Sequence, residues 1–197
     1  MSFIVTRQAP SFEADAVLPD GSIQAGFRLD ELRGDYVYLL FYPLDFTFVC
    51  PTEILAFDAR LDDFQKRDCR VVGISVDSPH THRAWRRTPV ADGGIGPIRF
   101  PLVSDMSREI ARAYGVLFEE KSALRGLFLI DRAGIVRHAV VNDDPIGRSV
   151  DEALRTLDAL RFHDEHGDVC PANWKKGDKA MKATTEGVID YLSKYAR

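Results

Sequence analysis

Hydrophobic positions fall in short blocks along the chain, and their spacing changes from block to block. Residues 36–41 (Tyr-Val-Tyr-Leu-Leu-Phe) form an unbroken apolar run rich in aromatic and branched side chains, which predicts a buried strand. Just downstream, Ile54, Phe57, Leu61 and Phe64 recur three and four residues apart, the stripe of an amphipathic helix opening near Cys50 and Pro51. Proline suits the first helical position, where its missing N–H would have no intrahelical partner. The run 69–76 predicts a second core strand, and Ser78-Pro79 predicts the capped start of a helix reaching about residue 87. Then come a short strand over 100–103 and a helix capped by Asp105 with Ile110, Ala113 and Tyr114 facing inward, ended by Gly115 in the left-handed region. Residues 127–130 and 135–141 flank Asp131-Arg132-Ala133-Gly134 as an antiparallel hairpin. Ser149-Val150-Asp151-Glu152 is a capping box ahead of Leu154, Leu157 and Leu160.

Nearer the N-terminus, Pro19-Asp20-Gly21 turns a weaker hairpin within 12–32, and residues 88–97, with Gly93-Gly94-Ile95-Gly96, have the composition of a loop. Strands that alternate with helices, plus a hairpin in the second half, predict an α/β protein with a mixed central sheet flanked by helices. Past Phe162 the pattern lapses into a polar stretch and then a basic, turn-rich one, with one brief apolar stripe at Val188, Ile189 and Leu192. Residues 1–162 therefore read as one domain and 163–197 as an extended C-terminal arm, whose short last helix needs packing to persist.

Composition narrows the possibilities. With 45% hydrophobic and 28% charged residues and a net charge of −4, the chain has nothing that favours nucleic acid or an anionic membrane as partner. No apolar stretch approaches the ~20 residues of a membrane span, and the N-terminus lacks a signal-peptide pattern. Cys50, Cys69 and Cys170 are too few and too scattered to staple a secreted scaffold, so the expectation is a cytoplasmic protein with redox-active cysteines. No C-x-x-C is present, and His80-x-His82 and His163-x-x-His166 have no cysteine pair beside them, so neither a metal nor any other cofactor is expected. No glycine-rich phosphate loop joins a strand to a helix.

Of the three thiols, Cys50 has the most chemical setting. At a helix mouth it would face backbone N–H groups without intrahelical partners, and that end of the helix dipole favours an anion such as a thiolate. Such a place, with a cation nearby, lowers a thiol pKa from about 8.5 to roughly 3.5–7.5. The competing reading is a small buried hydrophobe. Thr47 lies three residues earlier, where it either points its hydroxyl at the sulfur or turns the chain into the helix. Pro43 shapes the loop between them. Glu53 either orients arginines or simply sits well in a helix's first turn.

Pro43-x-x-x-Thr47-x-x-Cys50 resembles the active-site signature of the peroxiredoxins, thiol peroxidases with a thioredoxin-like fold. The string FYPLDFTFVCPTEI and the later Val169-Cys170-Pro171 are similar to the typical two-cysteine branch, the alkyl hydroperoxide reductase C type. The resemblance runs from about residue 7 to about 174. It implies that Cys50 attacks a hydroperoxide and that Cys170, from the partner subunit of a head-to-tail homodimer, resolves the sulfenic acid as a disulfide. Arg125, in Leu-Arg-Gly-Leu-Phe-Leu-Ile-Asp, matches the family arginine that contacts the thiolate; alone it would read as a solvated strand end. Glu53 is expected to orient Arg125 and Arg148, whereas Trp85 and His82 read as packing residues and Cys69 as a buried bystander. The implied reductant is thioredoxin or a dedicated flavoprotein disulfide reductase, and the implied assembly a homodimer, often five dimers in a ring. Gly93-Gly94-Ile95-Gly96 is close to the GGLG loop of peroxide-sensitive members, but Tyr191-Leu192 stands where they carry Tyr-Phe, which predicts intermediate sensitivity to overoxidation. A second reading is a peroxide-responsive holdase chaperone or redox-relay protein; a third, a disulfide oxidoreductase, is disfavoured by the missing C-x-x-C.

Overall fold

The structure, a computed structural model, describes residues 4–195; the first three residues, where the search for a leader begins, and the last two of the arm lie outside it. β1 (Glu13–Val17) and β2 (Ile23–Arg28) make the expected N-terminal hairpin, followed by β3 (Tyr36–Phe41), α1 (Cys50–Ala59), α2 (Leu61–Gln65) and β4 (Cys69–Ser75). Next come α3 (Pro79–Arg87), β5 (Leu102–Ser104), α4 (Glu109–Ala113), a small ladder of β6 (Leu117–Phe118) and β7 (Ser122–Ala123), and the hairpin β8 (Arg125–Ile130) with β9 (Val136–Asn142). Seven strands form one sheet in the order β2-β1-β5-β4-β3-β8-β9. β3 runs parallel to β4 and antiparallel to β8, so the sheet is mixed, as the alternating pattern predicts.

The chain divides after Val150 into two compact units. In the first, all six residues of β3 are buried, as an unbroken apolar strand requires. Val37, Leu39 and Phe41 share a core with Phe128, Tyr114 and Val116. Tyr38 packs edge-on against Phe64, which stacks on Phe57, so the other face of β3 receives α1 and α2.

Several local expectations shift. The single helix expected over Cys50–Phe64 breaks at Arg60 (φ −106°, ψ 11°) into α1 and α2, although Ile54, Phe57, Leu61 and Phe64 are all buried as the spacing implies. Phe100 is buried but precedes the strand: Pro101 has no N–H for a ladder, and β5 starts after it. α4 is one turn shorter than expected because Arg108 adopts φ 63°; the Asp105 carboxylate still caps it, accepting from the N–H groups of Ile110 (3.1 Å) and Ala111 (2.7 Å). The inward alanine is Ala111, not Ala113, and Gly115 does take the left-handed turn (φ 70°).

The second unit contains α5 (Val150–His166), which continues past Phe162 because its polar last turn remains exposed, and stops where Gly167 adopts φ 72°. A turn-rich segment then folds back on α5: Trp174 is buried, its ring 5.0 Å from Phe162, and its carbonyl accepts from Arg155 (3.1 Å). α6 (Thr185–Tyr195) closes the described chain with Ile189 and Leu192 exposed. Among the described residues no helix is long and apolar enough to cross a membrane.

Candidate active site

The segment leaving the carboxyl end of β3 runs through buried Pro43 and opens α1 at Cys50. Cys50 is the first helical residue and Pro51 the second, one place later than expected. The N–H groups of Thr52 and Glu53 both bond to the Val49 carbonyl (3.0 and 3.3 Å), so they are not the free donors that position alone suggests. The sulfur's polar partners are side chains instead. It is fully buried, with Thr47 Oγ1 at 2.9 Å and Arg125 Nη1 at 3.3 Å.

Thr47 Oγ1 also lies 2.8 Å from the Leu44 carbonyl. One hydroxyl carries one proton. With a thiol, S–H donates to Oγ1 while O–H donates to Leu44; with a thiolate, the same O–H turns to the sulfur. Thr47 thus accommodates both states without moving.

Arg125 arrives from the opposite strand. The antiparallel register pairs Leu40 with Leu127, and two residues further it brings Arg125 level with Tyr42, where β3 ends. Its Nε and Nη2 donate to the carbonyl (2.6 Å) and carboxylate (3.0 Å) of Asp144, and Nη1 to Glu53 Oε2 (2.8 Å) as well as to the sulfur. Glu53 also accepts from the Arg148 backbone N–H (2.8 Å), Nε (2.7 Å) and Nη2 (2.9 Å). Arg148 Nη1 in turn donates to the carbonyls of Phe41 (2.7 Å) and Gly126 (2.6 Å), pinning the group to the ends of β3 and β8.

These groups tune one another. Burial alone would raise the Glu53 carboxyl, but Arg148 and then Arg125 hold it below its ordinary value. Burial pulls the Arg148 guanidinium down despite Glu53, while for Arg125 the Cys50 sulfur and Glu53 more than offset burial and hold it up. Two buried cations thus face one buried carboxylate, and the Asp144 side chain is 68% exposed and screened. The Cys50 sulfur lies beside this excess of positive charge, 3.3 Å from Arg125 Nη1.

None of Cys50, Cys69 and Cys170 is joined in a disulfide. Cys170 lies half-buried beyond α5, its sulfur 3.6 Å from the Ala159 carbonyl; burial pushes this thiol up, with Asp168 adding to and Arg155 opposing the effect. Cys69 is buried at the start of β4.

Sequence reasoning missed Asp144 and a buried polar cluster beneath the loop. Tyr42 Oη donates to Asp45 Oδ1 (2.8 Å), Asp45 Oδ2 lies 2.7 Å from His82 Nδ1, and His82 Nε2 lies 3.2 Å from the Val103 carbonyl. Burial raises the Asp45 carboxyl despite His82. The available signal was His82 and Trp85 three apart on α3, both inward, but nothing local names Asp45 as the partner.

Residues 5–139 match the AhpC/TSA family, and residues 159–194 match the C-terminal domain of 1-Cys peroxiredoxin. Alkyl hydroperoxide reductase C of Helicobacter pylori is 55% identical over 190 residues, covering 96% of each chain. Peroxiredoxin-1 of Gallus gallus is 51% identical over 191 residues, again covering 96% of each. The reduced 2-Cys peroxiredoxin of Plasmodium vivax superposes with a TM-score of 0.96 at 51% identity, covering 98% of this chain and all of that one, which makes the mixed sheet described above the thioredoxin-like fold. With a family model over most of its length and relatives half identical from end to end, the chain belongs to the AhpC/TSA family of peroxiredoxins.

Proposed function

We infer that this chain is a thiol peroxidase acting on hydrogen peroxide and small organic hydroperoxides. The observation that carries the reading is the Cys50 sulfur held between Thr47 Oγ1 and Arg125 Nη1 at 2.9 and 3.3 Å. The Cys50 thiolate attacks the terminal oxygen of the hydroperoxide. The O–O bond breaks, Cys50 becomes a sulfenic acid, and the departing alkoxide or hydroxide takes a proton to leave as alcohol or water. Arg125 donates to the oxygens as negative charge moves between them, and Thr47 orients the peroxide. Pro43 shields the sulfur, and Glu53 with Arg148 holds Arg125 in place.

Cys170 then attacks the sulfenic sulfur, a disulfide forms and water departs. In this reading Cys170 comes from the partner subunit of a homodimer, which assembles further into a decamer, and a dithiol protein such as thioredoxin or a flavoprotein reductase restores both thiols in the cytoplasm. The relatives' names refer to peroxide reduction, and no observation favours the chaperone or relay reading. The test is stopped-flow reaction of the reduced protein with peroxide. Cys50→Ser abolishes turnover with a thiol reductant, and Cys170→Ser keeps the first step but loses the disulfide-linked dimer on non-reducing gels. Turnover surviving in Cys50→Ser sinks the reading.

A further inference from the structure

The loop that presents Cys50 is held from below by charge-bearing groups that take no part in the chemistry above. Asp45 and His82 are each fully buried at their side chains, and their 2.7 Å contact joins the loop to α3. The Asp45 backbone N–H is also taken, by Asp77 Oδ2 at 2.9 Å, and the same oxygen accepts from Ser75 Oγ at 2.7 Å. His82 Nε2 faces the Val103 carbonyl on β5, so both ring nitrogens face acceptors. The short Oδ2–Nδ1 contact is satisfied only with one proton between the two groups, as imidazolium with carboxylate or imidazole with carboxylic acid.

Two residues from Asp45 stands Thr47, whose hydroxyl lies between Leu44 and the Cys50 sulfur. Between them Phe46 adopts φ 55°, a conformation that side-chain-bearing residues rarely take and that persists only where its surroundings enforce it. The enforcement is visible: Asp45 is tied down on one side, and the Phe46 ring lies 6.0 Å from that of Trp85, itself 5.9 Å from Tyr42. Cys50 is 0% exposed, so its sulfur cannot meet a second thiol until this loop or the first turn of α1 opens.

We propose that Asp45 and His82 are positioning residues that latch the strained loop closed, favouring the peroxide step and opposing the opening that disulfide formation requires. The inference rests on the peroxidase reading for its two rates, but the latch itself is tested without peroxide. Alkylation of Cys50 by iodoacetamide in the reduced protein, followed by mass spectrometry of its peptide, reads loop opening directly.

Asp45→Ala is expected to speed that alkylation about tenfold, to slow sulfenic acid formation by a similar factor and to speed the following disulfide step. Asp45→Asn recovers most of all three, because its Oδ1 still accepts from Tyr42 and its Nδ2 donates to a neutral His82 Nδ1. A general loss of stability would instead slow both chemical steps together. That result overturns the latch, as do unchanged alkylation and an Asp45→Asn protein as impaired as Asp45→Ala. If Asp45→Ala does not fold, Tyr42→Phe, which deletes one hydroxyl and leaves the ring on Trp85, must show smaller changes of the same signs; no change, or both steps slowed, overturns the proposal. A parent protein inert to peroxide defeats the peroxidase reading, while the alkylation rates still judge the latch.

Discussion

Thr47 and Arg125 divide the work around one sulfur atom. In the proposed mechanism the single movable proton of Thr47 serves thiol, thiolate or peroxide in turn, whereas Arg125 carries a permanent charge fixed by Asp144 and Glu53. Deleting one preorganised donor at a site of developing charge costs about 10²-fold in rate. Thr47→Val is therefore expected to lower the rate constant with peroxide by about that factor and Thr47→Ser to keep most of it; stopped-flow rates within twofold of the parent for Thr47→Val refute this. Glu53 accepts four hydrogen bonds from two buried arginines, and its replacement by Gln leaves those cations short of a counter-charge. Breaking a buried pair this way costs about 3–5 kcal/mol. Because the folded Glu53 titrates below its ordinary 4.5, its contribution is whole above pH 4.5 and is lost as pH falls through the depressed folded value. The gap in stability between parent and Glu53→Gln, measured by denaturant titration, is thus constant near neutrality and narrows in acid; a gap independent of pH would show that charge is not its source.

At the scale of elements, β3 decides where the site lies. Its burial on both faces makes it central, its parallel and antiparallel neighbours bring α3 and Arg125 to its carboxyl end, and the loop leaving that end carries Cys50. α3 matters because its inward His82 and Trp85 brace that loop. Trp85 is braced in turn by its indole N–H, which donates to the Gly93 carbonyl at 3.1 Å. The next residue has no room for a side chain: a Cβ on Gly94 would fall 2.0 Å from the Thr88 carbonyl oxygen, which is backbone and cannot swing aside. Gly94→Ala is expected to cost about 1–3 kcal/mol and to shift the Trp85 emission, whereas Gly96→Ala would meet no atom closer than 3.8 Å and disturb its surroundings less despite its own φ of 61°. Equal thermal midpoints for Gly94→Ala and the parent would refute the close approach.

For the whole molecule, the two compact units each carry one of the cysteines used in the proposed mechanism. Burial, with Asp168 and against Arg155, keeps the Cys170 thiol protonated more firmly than an ordinary thiol, which agrees with the resolving role proposed for it. The likeness of the Gly93–Gly96 loop to that of peroxide-sensitive family members, with Leu192 where they carry Phe, implies intermediate overoxidation. Mass spectrometry of the Cys50 peptide during turnover at rising peroxide is expected to find sulfinic acid only at the upper concentrations. Its absence throughout would mean that the loop opens faster than a second peroxide arrives.

Much of this molecule was legible in one dimension. The apolar run of β3, the Ser78 cap, the β8–β9 hairpin and the helix start at Cys50 were readable because periodicity and capping chemistry report each element's own burial and ends. The motif around Cys50 and the resemblance at Arg125 singled out two groups that lie 3.3 Å apart in the fold. The break at Arg60, the shortened α4 and the extent of α5 were not readable, since they depend on where neighbouring elements end. Nor was the cluster beneath the loop, because Tyr42, Asp45 and His82 become partners only when α3 lies across the exit of β3. Charge balance around Cys50 was likewise a tertiary outcome: Glu53, Arg125 and Arg148 are far apart along the chain, and only the sheet's register makes one buried carboxylate answer to two guanidinium groups.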